Sequence, residues 1–268
     1  MNIEGLLKLA LIDPLEARIL VAHALKCTRV QIVIRSKDAL TPQQVTEVSE
    51  LFMRRMQGEP IAYLTGEREF HGLRFEVTSD VLIPRPETER LVELAVEKLP
   101  KGGSVIDLGT GSGAVAVTLA HERRDAKISA TDISEAALGV ARRNASQHSV
   151  AVRFIHSDWY AKVDGQFDLI ISNPPYIAAG DPHLAQGDLR FEPRSALTDD
   201  ANGMMHIGAI IDGAPQHLKP GGWLLMEHGY DQASAVRALL ARVGWQQVQS
   251  WQDLSGIERV SGAMCPAN

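Results

Sequence analysis

From about residue 100 onward, short apolar runs alternate with amphipathic stretches, and that alternation predicts the fold class. The runs at 104–108, 127–132, 151–156, 167–172 and 223–227 read as buried strands. Helical periodicity separates these five, with one helix opened by Ser134-Glu135 and another following Tyr230. Such alternation predicts a mainly parallel α/β sheet covered on both faces. Two further strands, 246–252 and 259–264, follow each other closely enough to pair antiparallel at one edge, making a seven-stranded sheet. The pattern leaves the strand order open.

The first 58 residues or so carry a helical pattern instead. Asp13-Pro14 is an N-cap with proline at the first helical position, leading into Leu15, Ile19, Leu20 and Leu25 at helical spacing. Thr41-Pro42-Gln43-Gln44 reads as a capping box, with Val45, Val48 and Phe52 on one face. No cluster of catalytic residue types falls here, so the region reads as a small module that docks against the rest or holds a macromolecular substrate. Residues 67–70 and 73–77 flank His71-Gly72 and predict a short hairpin. Ile83-Pro84-Arg85-Pro86-Glu87-Thr88-Glu89 then forms a rigid elbow before a helix carrying Leu91, Leu94 and Ala95. The expected organisation is a helical domain over 1–66, a hairpin and connector over 67–85, and an α/β domain over 86–268. The boundary falls within the connector, near residue 80.

Candidate chemistry gathers at the ends of the predicted strands. Asp107-Leu108-Gly109-Thr110-Gly111-Ser112-Gly113 follows the first strand of the alternating region and enters a helix. Glycines at such a turn let backbone approach a ligand closely. The loop lacks the Gly-Lys-Ser/Thr ending of a phosphate loop and departs from the dinucleotide spacing. Asp107 would place a carboxylate beside a positively charged ligand. Asp132 ends the next strand, where a carboxylate accepts hydrogen bonds from ribose hydroxyls. Ser157-Asp158-Trp159 follows the third, where an indole would cover an adenine face and Asp158 would reach its amino group. Together these line one nucleoside crevice.

The fourth strand ends in Asn173-Pro174-Pro175-Tyr176. Two prolines forbid both continued pairing and an immediate helix, which leaves a stiff turn with unpaired carbonyls. An Asn side chain beside those carbonyls makes a fixed cluster of acceptors for a planar NH2 group, with Tyr176 offering a flat face to stack on it. The chemistry therefore points to nitrogen.

Composition narrows the partners. At 268 residues the chain suits one large domain or two smaller ones. A net charge of −6 argues against a long grip on a nucleic-acid backbone, and Arg142-Arg143 reads as a solvated helix face. Only Cys27 and Cys265 are present, far apart, and the nine histidines form no paired ligand spacing. No metal site or disulfide framework is expected, and a reducing cytoplasm is the simplest setting. No apolar run approaches the roughly 20 residues that span a bilayer, and the N-terminus lacks the basic start of a signal peptide.

On these residues the chain resembles class-I S-adenosylmethionine-dependent methyltransferases, through the D-x-G-x-G-x-G loop, Asp132 and N-P-P-Y. N-P-P-Y is shared by enzymes that methylate planar nitrogens, namely DNA adenine methyltransferases and protein-glutamine methyltransferases. Pro60-Ile61-Ala62-Tyr63-Leu64-Thr65-Gly66, the Ile83–Glu89 elbow, Ser157-Asp158-Trp159, Arg190-Phe191-Glu192-Pro193 and Glu227-His228-Gly229 all look like the HemK/PrmC family of protein-(glutamine-N5) methyltransferases acting on bacterial peptide-chain release factors. The tail from Ser261 to Pro266 looks divergent.

The resemblance implies a class-I methyltransferase, Rossmann-like domain over 86–268, with S-adenosyl-L-methionine held by Gly109, Thr110, Gly111, Ser112, Gly113, Asp132, Trp159 and Asn173. It implies that Asn173, Pro174, Pro175 and Tyr176 hold the glutamine side chain. Asn173, Pro174 and Tyr176 would be the catalytic residues. Pro84 to Thr88 would wall the pocket, and Leu82 stands where some relatives carry an aromatic residue. The implied partner is a class-I release factor, presenting its Gly-Gly-Gln loop. An adenine-N6 methyltransferase acting on nucleic acid is the alternative, against which the acidic charge balance counts.

Overall fold

A computed structural model describes residues 1–266. The chain divides into two compact units, Met1–Glu67 and the remainder from Arg68 onward.

The first unit is five short helices: α1 (Ile3–Lys8), α2 (Pro14–Ala24), α3 (Arg29–Ile34), α4 (Pro42–Met56) and α5 (Ile61–Thr65). Their starts are written in the sequence. Asp13 caps α2 by accepting from the N–H groups of Leu15 and Glu16. Thr41 and Gln44 form the reciprocal capping box of α4, and Thr28 and Gln31 do the same for α3. Such caps are each worth about 1 kcal/mol. The helices close on a core of Leu20, Val21, Ile32, Val48 and Phe52.

In the second unit, β1 (Glu67–Phe70) and β2 (Leu73–Glu76) form the hairpin. The hairpin is not a free connector. Phe70 and Phe75 are fully buried in the core of this unit, and Glu76 pairs with Arg143.

Next come α6 (Glu89–Lys98), β3 (Ser104–Leu108), α7 (Ala114–Glu122), β4 (Lys127–Asp132), α8 (Glu135–Gln147), β5 (Arg153–His156) and β6 (Phe167–Ser172). A stretch of short 3-10 turns leads to α9 (Met205–His217), β7 (Leu218–Glu227), α10 (Ala233–Arg242), β8 (Gln246–Gln252) and β9 (Glu258–Met264).

The seven-stranded sheet has the order β5-β4-β3-β6-β7-β9-β8. Five strands run parallel, while β9 pairs antiparallel with both β7 and β8. Alternate residues feed two cores. Val105, Leu169 and Leu225 meet α6 and α7 on one face; Ile106, Ile170 and Leu224 meet α9 and α10 on the other.

Four strand bounds differ from the apolar pattern. Strand β2 ends at Glu76 rather than at residue 77. Pairing of β5 begins only at Arg153, opposite Ser129, so residues 151 and 152 stay outside the ladder. Strand β9 begins one residue early, at Glu258, which pairs with Gln252. Strand β7 starts at Leu218, because a register shift absorbs Lys219-Pro220-Gly221-Gly222, with Gly221 at φ 77°, before Trp223 pairs with Leu169.

Candidate active site at the carboxyl ends of β3 and β6

The sheet changes direction between β3 and β6: β4 and β5 extend one way, β7 the other. Ligands bind in the crevice outside such a switch point. A cavity of about 550 Å³ opens there, within the roughly 300–1,000 Å³ usual for small-molecule sites.

One wall is the glycine loop after β3. Gly109, Gly111 and Gly113 take φ values of 75°, 55° and 80°, which side-chain-bearing residues rarely adopt. The loop is buckled to the end of β4. Gly109 and Thr110 both donate N–H to the Thr131 carbonyl, and Gly111 donates to Asp132 Oδ2 at 2.8 Å. The other oxygen, Oδ1, accepts from Ser134 N–H at 2.9 Å. Burial pushes the Asp132 carboxyl up, and the backbone N–H groups around it partly offset that. Asp107 lies under the loop, where its Oδ2 accepts the Thr110 hydroxyl at 2.6 Å. Burial raises its carboxyl to about 7.

Trp159 holds an unusual φ of 41°. Its ring lies so close to Gly109 that a Cβ there would come within 3.2 Å of it. The indole also packs against the His206 ring, with centroids 5.3 Å apart.

Of the residues read from sequence, Gly109, Thr110, Gly111, Ser112, Asp132, Trp159, Asn173 and Pro175 line the cavity, as do Asp107 and Asp158. Gly113, Pro174 and Tyr176 are not among its lining. Gly113 caps α7 instead, and a Cβ on it would meet Ala141 at 3.0 Å. The Tyr176 ring packs against the core beneath α9, and its hydroxyl donates to Glu227 Oε1 at 3.3 Å. The flat face expected beside the substrate is therefore not part of the cavity wall.

The turn after β6 is fastened at its far end. Gln232 donates to the Tyr176 carbonyl at 2.9 Å, and Ile177 N–H donates to the Leu197 carbonyl. No hydrogen bond from a described residue reaches the Pro174 carbonyl. Asn173 Nδ2 donates to Thr88 Oγ1 at 3.2 Å, which leaves its Oδ1 free as an acceptor.

The opposite wall is the connector, through Leu82, Pro84, Arg85 and Thr88. It is clasped by Glu192, whose side chain is fully buried. Glu192 accepts Ile83 N–H at 3.0 Å and forms an ion pair with the Arg85 guanidinium.

Three contributors escaped the sequence reading. Asn144 on α8 is fully buried; it accepts Glu76 N–H at 2.7 Å and donates to the Ser112 carbonyl at 2.8 Å, tying hairpin to glycine loop. Thr88 and Glu227 sit in quoted motifs but had no individual role. Nothing local distinguishes them, because their partners lie 51 to 85 residues away. Arg142 and Arg143 are exposed and paired with Glu135 and Glu76, as a solvated helix face should be. Among the described residues, no cluster of His, Cys, Asp and Glu is arranged to hold a metal, and no helix is long and apolar enough to cross a membrane.

Known proteins share both units. The family model of the methyltransferase small domain matches residues 87–189, and that of the PrmC N-terminal domain matches residues 3–66. The release factor glutamine methyltransferase of Burkholderia pseudomallei is 52% identical over 97% of this chain and 95% of its own length. That of Neisseria gonorrhoeae is 48% identical over 97% of each. Among solved structures, a methyltransferase from Pyrococcus furiosus superposes with a TM-score of 0.57 at 21% identity, covering 82% of this chain and 100% of that one. That likeness is one of fold.

Proposed function

Because the chain belongs to the release factor glutamine methyltransferases, we propose that it methylates the side-chain amide nitrogen (N5) of the glutamine in the Gly-Gly-Gln motif of class-I peptide-chain release factors. The methyl donor is S-adenosyl-L-methionine, and S-adenosyl-L-homocysteine is released. The observation that supports the site assignment is the hydrogen bond of Asn173, a cavity-lining residue: its NH2 donates to Thr88, which leaves its Oδ1 free to accept.

The residues present fit that donor. The bare glycine loop would admit close approach, Asp132 would offer its remaining lone pairs to ribose hydroxyls, Trp159 would cover the base, and the buried Asp107 carboxyl would suit a cationic group. Gly109, Thr110, Gly111, Ser112, Asp132, Trp159 and Asn173 would hold it, with Gly113 setting the loop on α7. The donor supplies an electrophilic methyl sulfonium, so the protein's task falls on the nucleophile.

A glutamine amide nitrogen is a poor nucleophile, since its lone pair is delocalised into the carbonyl. Asn173 Oδ1 would accept one of its hydrogens and the Pro174 carbonyl, just behind the cavity lining, the other, orienting the nitrogen for attack. Positive charge grows on that nitrogen during attack, so acceptors aimed at it strengthen in the transition state. Orientation of this kind recovers as much as about 7–11 kcal/mol of a barrier. The N-methylated amide cation is strongly acidic and loses its proton without a dedicated base. Tyr176 keeps the turn in place through Glu227, and Pro175 closes the cavity beside it.

The helical unit, residues 1–66, docks the release factor, and the reaction belongs to the cytoplasm, where the free thiols of Cys27 and Cys265 are at home. Labelled donor incubated with a release factor tests the reading directly. Label should appear on the wild-type factor and vanish when its loop glutamine is replaced by Ala; label retained there excludes the assigned nitrogen. Transfer to DNA or RNA instead would favour the adenine alternative. Asn173→Ala should nearly abolish transfer while donor binding stays measurable by calorimetry.

A further inference from the structure

Gln232 stands immediately before α10, at the position whose side chain ordinarily accepts an N–H of the helix it opens. It makes no such bond. Its amide is directed away from α10 and meets three other backbone groups. Oε1 accepts Gly229 N–H at 2.8 Å, while Nε2 donates to the Tyr176 carbonyl at 2.9 Å and lies 3.4 Å from the Gly203 carbonyl. These partners leave the amide a single orientation, because an N–H only donates and a carbonyl only accepts.

The niche is cut to this side chain. Gly203 takes a φ of 78°, and a Cβ there would run into the Tyr176 carbonyl oxygen and stand 2.8 Å from Gln232 Nε2. A Cβ on Gly229 would stand 3.1 Å from Gln232 Oε1. Two of the three segments are fixed without Gln232. Gly229 follows His228, whose N–H donates to the Arg259 carbonyl on β9 and whose ring is held by Ser261. Gly203 donates its N–H to Asp199 Oδ1 at 2.9 Å, and the same carboxylate takes Met205 N–H on Oδ2, at the start of α9. One residue further on, His206 packs against Trp159.

The third segment is the N-P-P-Y turn. Pro174 and Pro175 have no N–H with which to anchor themselves, and each ring holds its φ near about −65°. The stretch is therefore stiff, and where it points is set at its ends. Asn173 is held at one end through Thr88, and the Tyr176 carbonyl at the other through Gln232. The hydroxyl contact of Tyr176 with Glu227 is longer, at 3.3 Å. The Pro174 carbonyl lies between the two anchors.

We propose that Gln232 is a positioning residue for methyl transfer: it registers the N-P-P-Y turn against the entry to α9, and so sets the acceptor carbonyls relative to the donor site. This rests on the Asn173–Tyr176 turn holding the substrate amide. Gln232 does not line the cavity, so it acts only through the backbone it ties down. Without its NH2 group the turn keeps its shape but swings about Asn173. The substrate nitrogen then spends less time aligned with the methyl group, a loss that falls on the chemical step.

The experiment compares Gln232→Asn and Gln232→Glu in the full chain at pH 8, with Asn173→Ala as control. Gln232→Asn suits the start of α10 better than the native residue, but its stem is one carbon too short to bridge Gly229 and Tyr176. Gln232→Glu keeps an acceptor for Gly229 and, ionised at pH 8, brings no hydrogen to the two carbonyls. In both, kcat at saturating donor should fall at least about tenfold, while the Kd for the donor stays within about threefold. A residue that only stabilised the fold would leave both variants, once folded, turning over normally. Should Gln232→Glu fail to fold, Gln232→Asn decides the matter by itself. Either variant turning over within about twofold of wild type, beside an inactive Asn173→Ala, overturns the positioning role alone. Donor binding weakened about tenfold or more would also overturn it, because Gln232 would then serve the donor site. An active Asn173→Ala overturns the site reading beneath it.

Discussion

Gly109 and Trp159 meet at a point where neither has room to give. Gly109 sits at φ 75° and Trp159 at φ 41°, and a methyl group on the former would press on the latter's ring at 3.2 Å. Gly109→Ala should cost about 1–3 kcal/mol in stability, read as a lowered urea midpoint with the slope unchanged, and weaken donor binding. Asp107 makes a prediction with a definite sign. Its folded carboxyl stands near 7 against an ordinary 3.8, so between those values the folded protein holds a proton the unfolded chain has released. That contribution is present at low pH and lost as pH rises through 7. Asp107→Asn removes it, and unfolding measured at pH 5 and pH 8 should show the variant gaining on wild type by on the order of 2 kcal/mol at the higher pH. A constant gap would show that Asp107 is ionised throughout. At this scale the sequence was generous with residues whose backbone does the work, such as the three glycines and the N-P-P-Y turn. It was silent on Asn144 and Glu227 and gave Thr88 only a place in the pocket wall, because their partners come from elsewhere in the chain.

Among the elements, the connector before α6 depends most on one distant residue. Arg85 and Ile83 are both held by Glu192, which is 107 to 109 residues away and has no exposed side-chain surface. Removing the guanidinium leaves that carboxylate buried with its charge uncompensated. Arg85→Ala should therefore lower stability by about 3 kcal/mol, with turnover falling further because the connector walls the cavity; a change under about 0.5 kcal/mol would mean the clasp is idle. Helix α3 makes a different prediction. Val30, Val33 and Ile34 are exposed there although apolar, and the proposed docking role gives them a use. Val33→Glu with Ile34→Glu should raise the KM for the release factor about tenfold or more, leaving kcat and the circular dichroism spectrum unchanged. Helix starts were legible because capping is local: Asp13, Thr41 and Ser134 each cap the element they open. The start of β7 was not, because Pro220-Gly221-Gly222 reads as a turn and only its neighbour β6 shows that the strand absorbs it.

For the whole molecule, alternation of strand and helix was enough to predict a parallel sheet, and the short link between the last two strands was enough to predict an antiparallel pair. What alternation does not carry is lateral order, which is decided by which edges meet once helices cover the faces. The consequence of that order is temporal. Strand β8 touches the sheet only through β9, yet it precedes β9 in the chain. A nascent chain that has released everything through Gln252 still has a bare edge on β7, with Trp223 to Met226 unpaired on that side. Such edges recruit other strands, so a synthesis pause in the 253–257 link leaves β7 open to pairing with another chain. The glycine loop and Asp132 belong to β3 and β4 and are complete long before, whereas Glu227 stands on the strand that waits for its last neighbour.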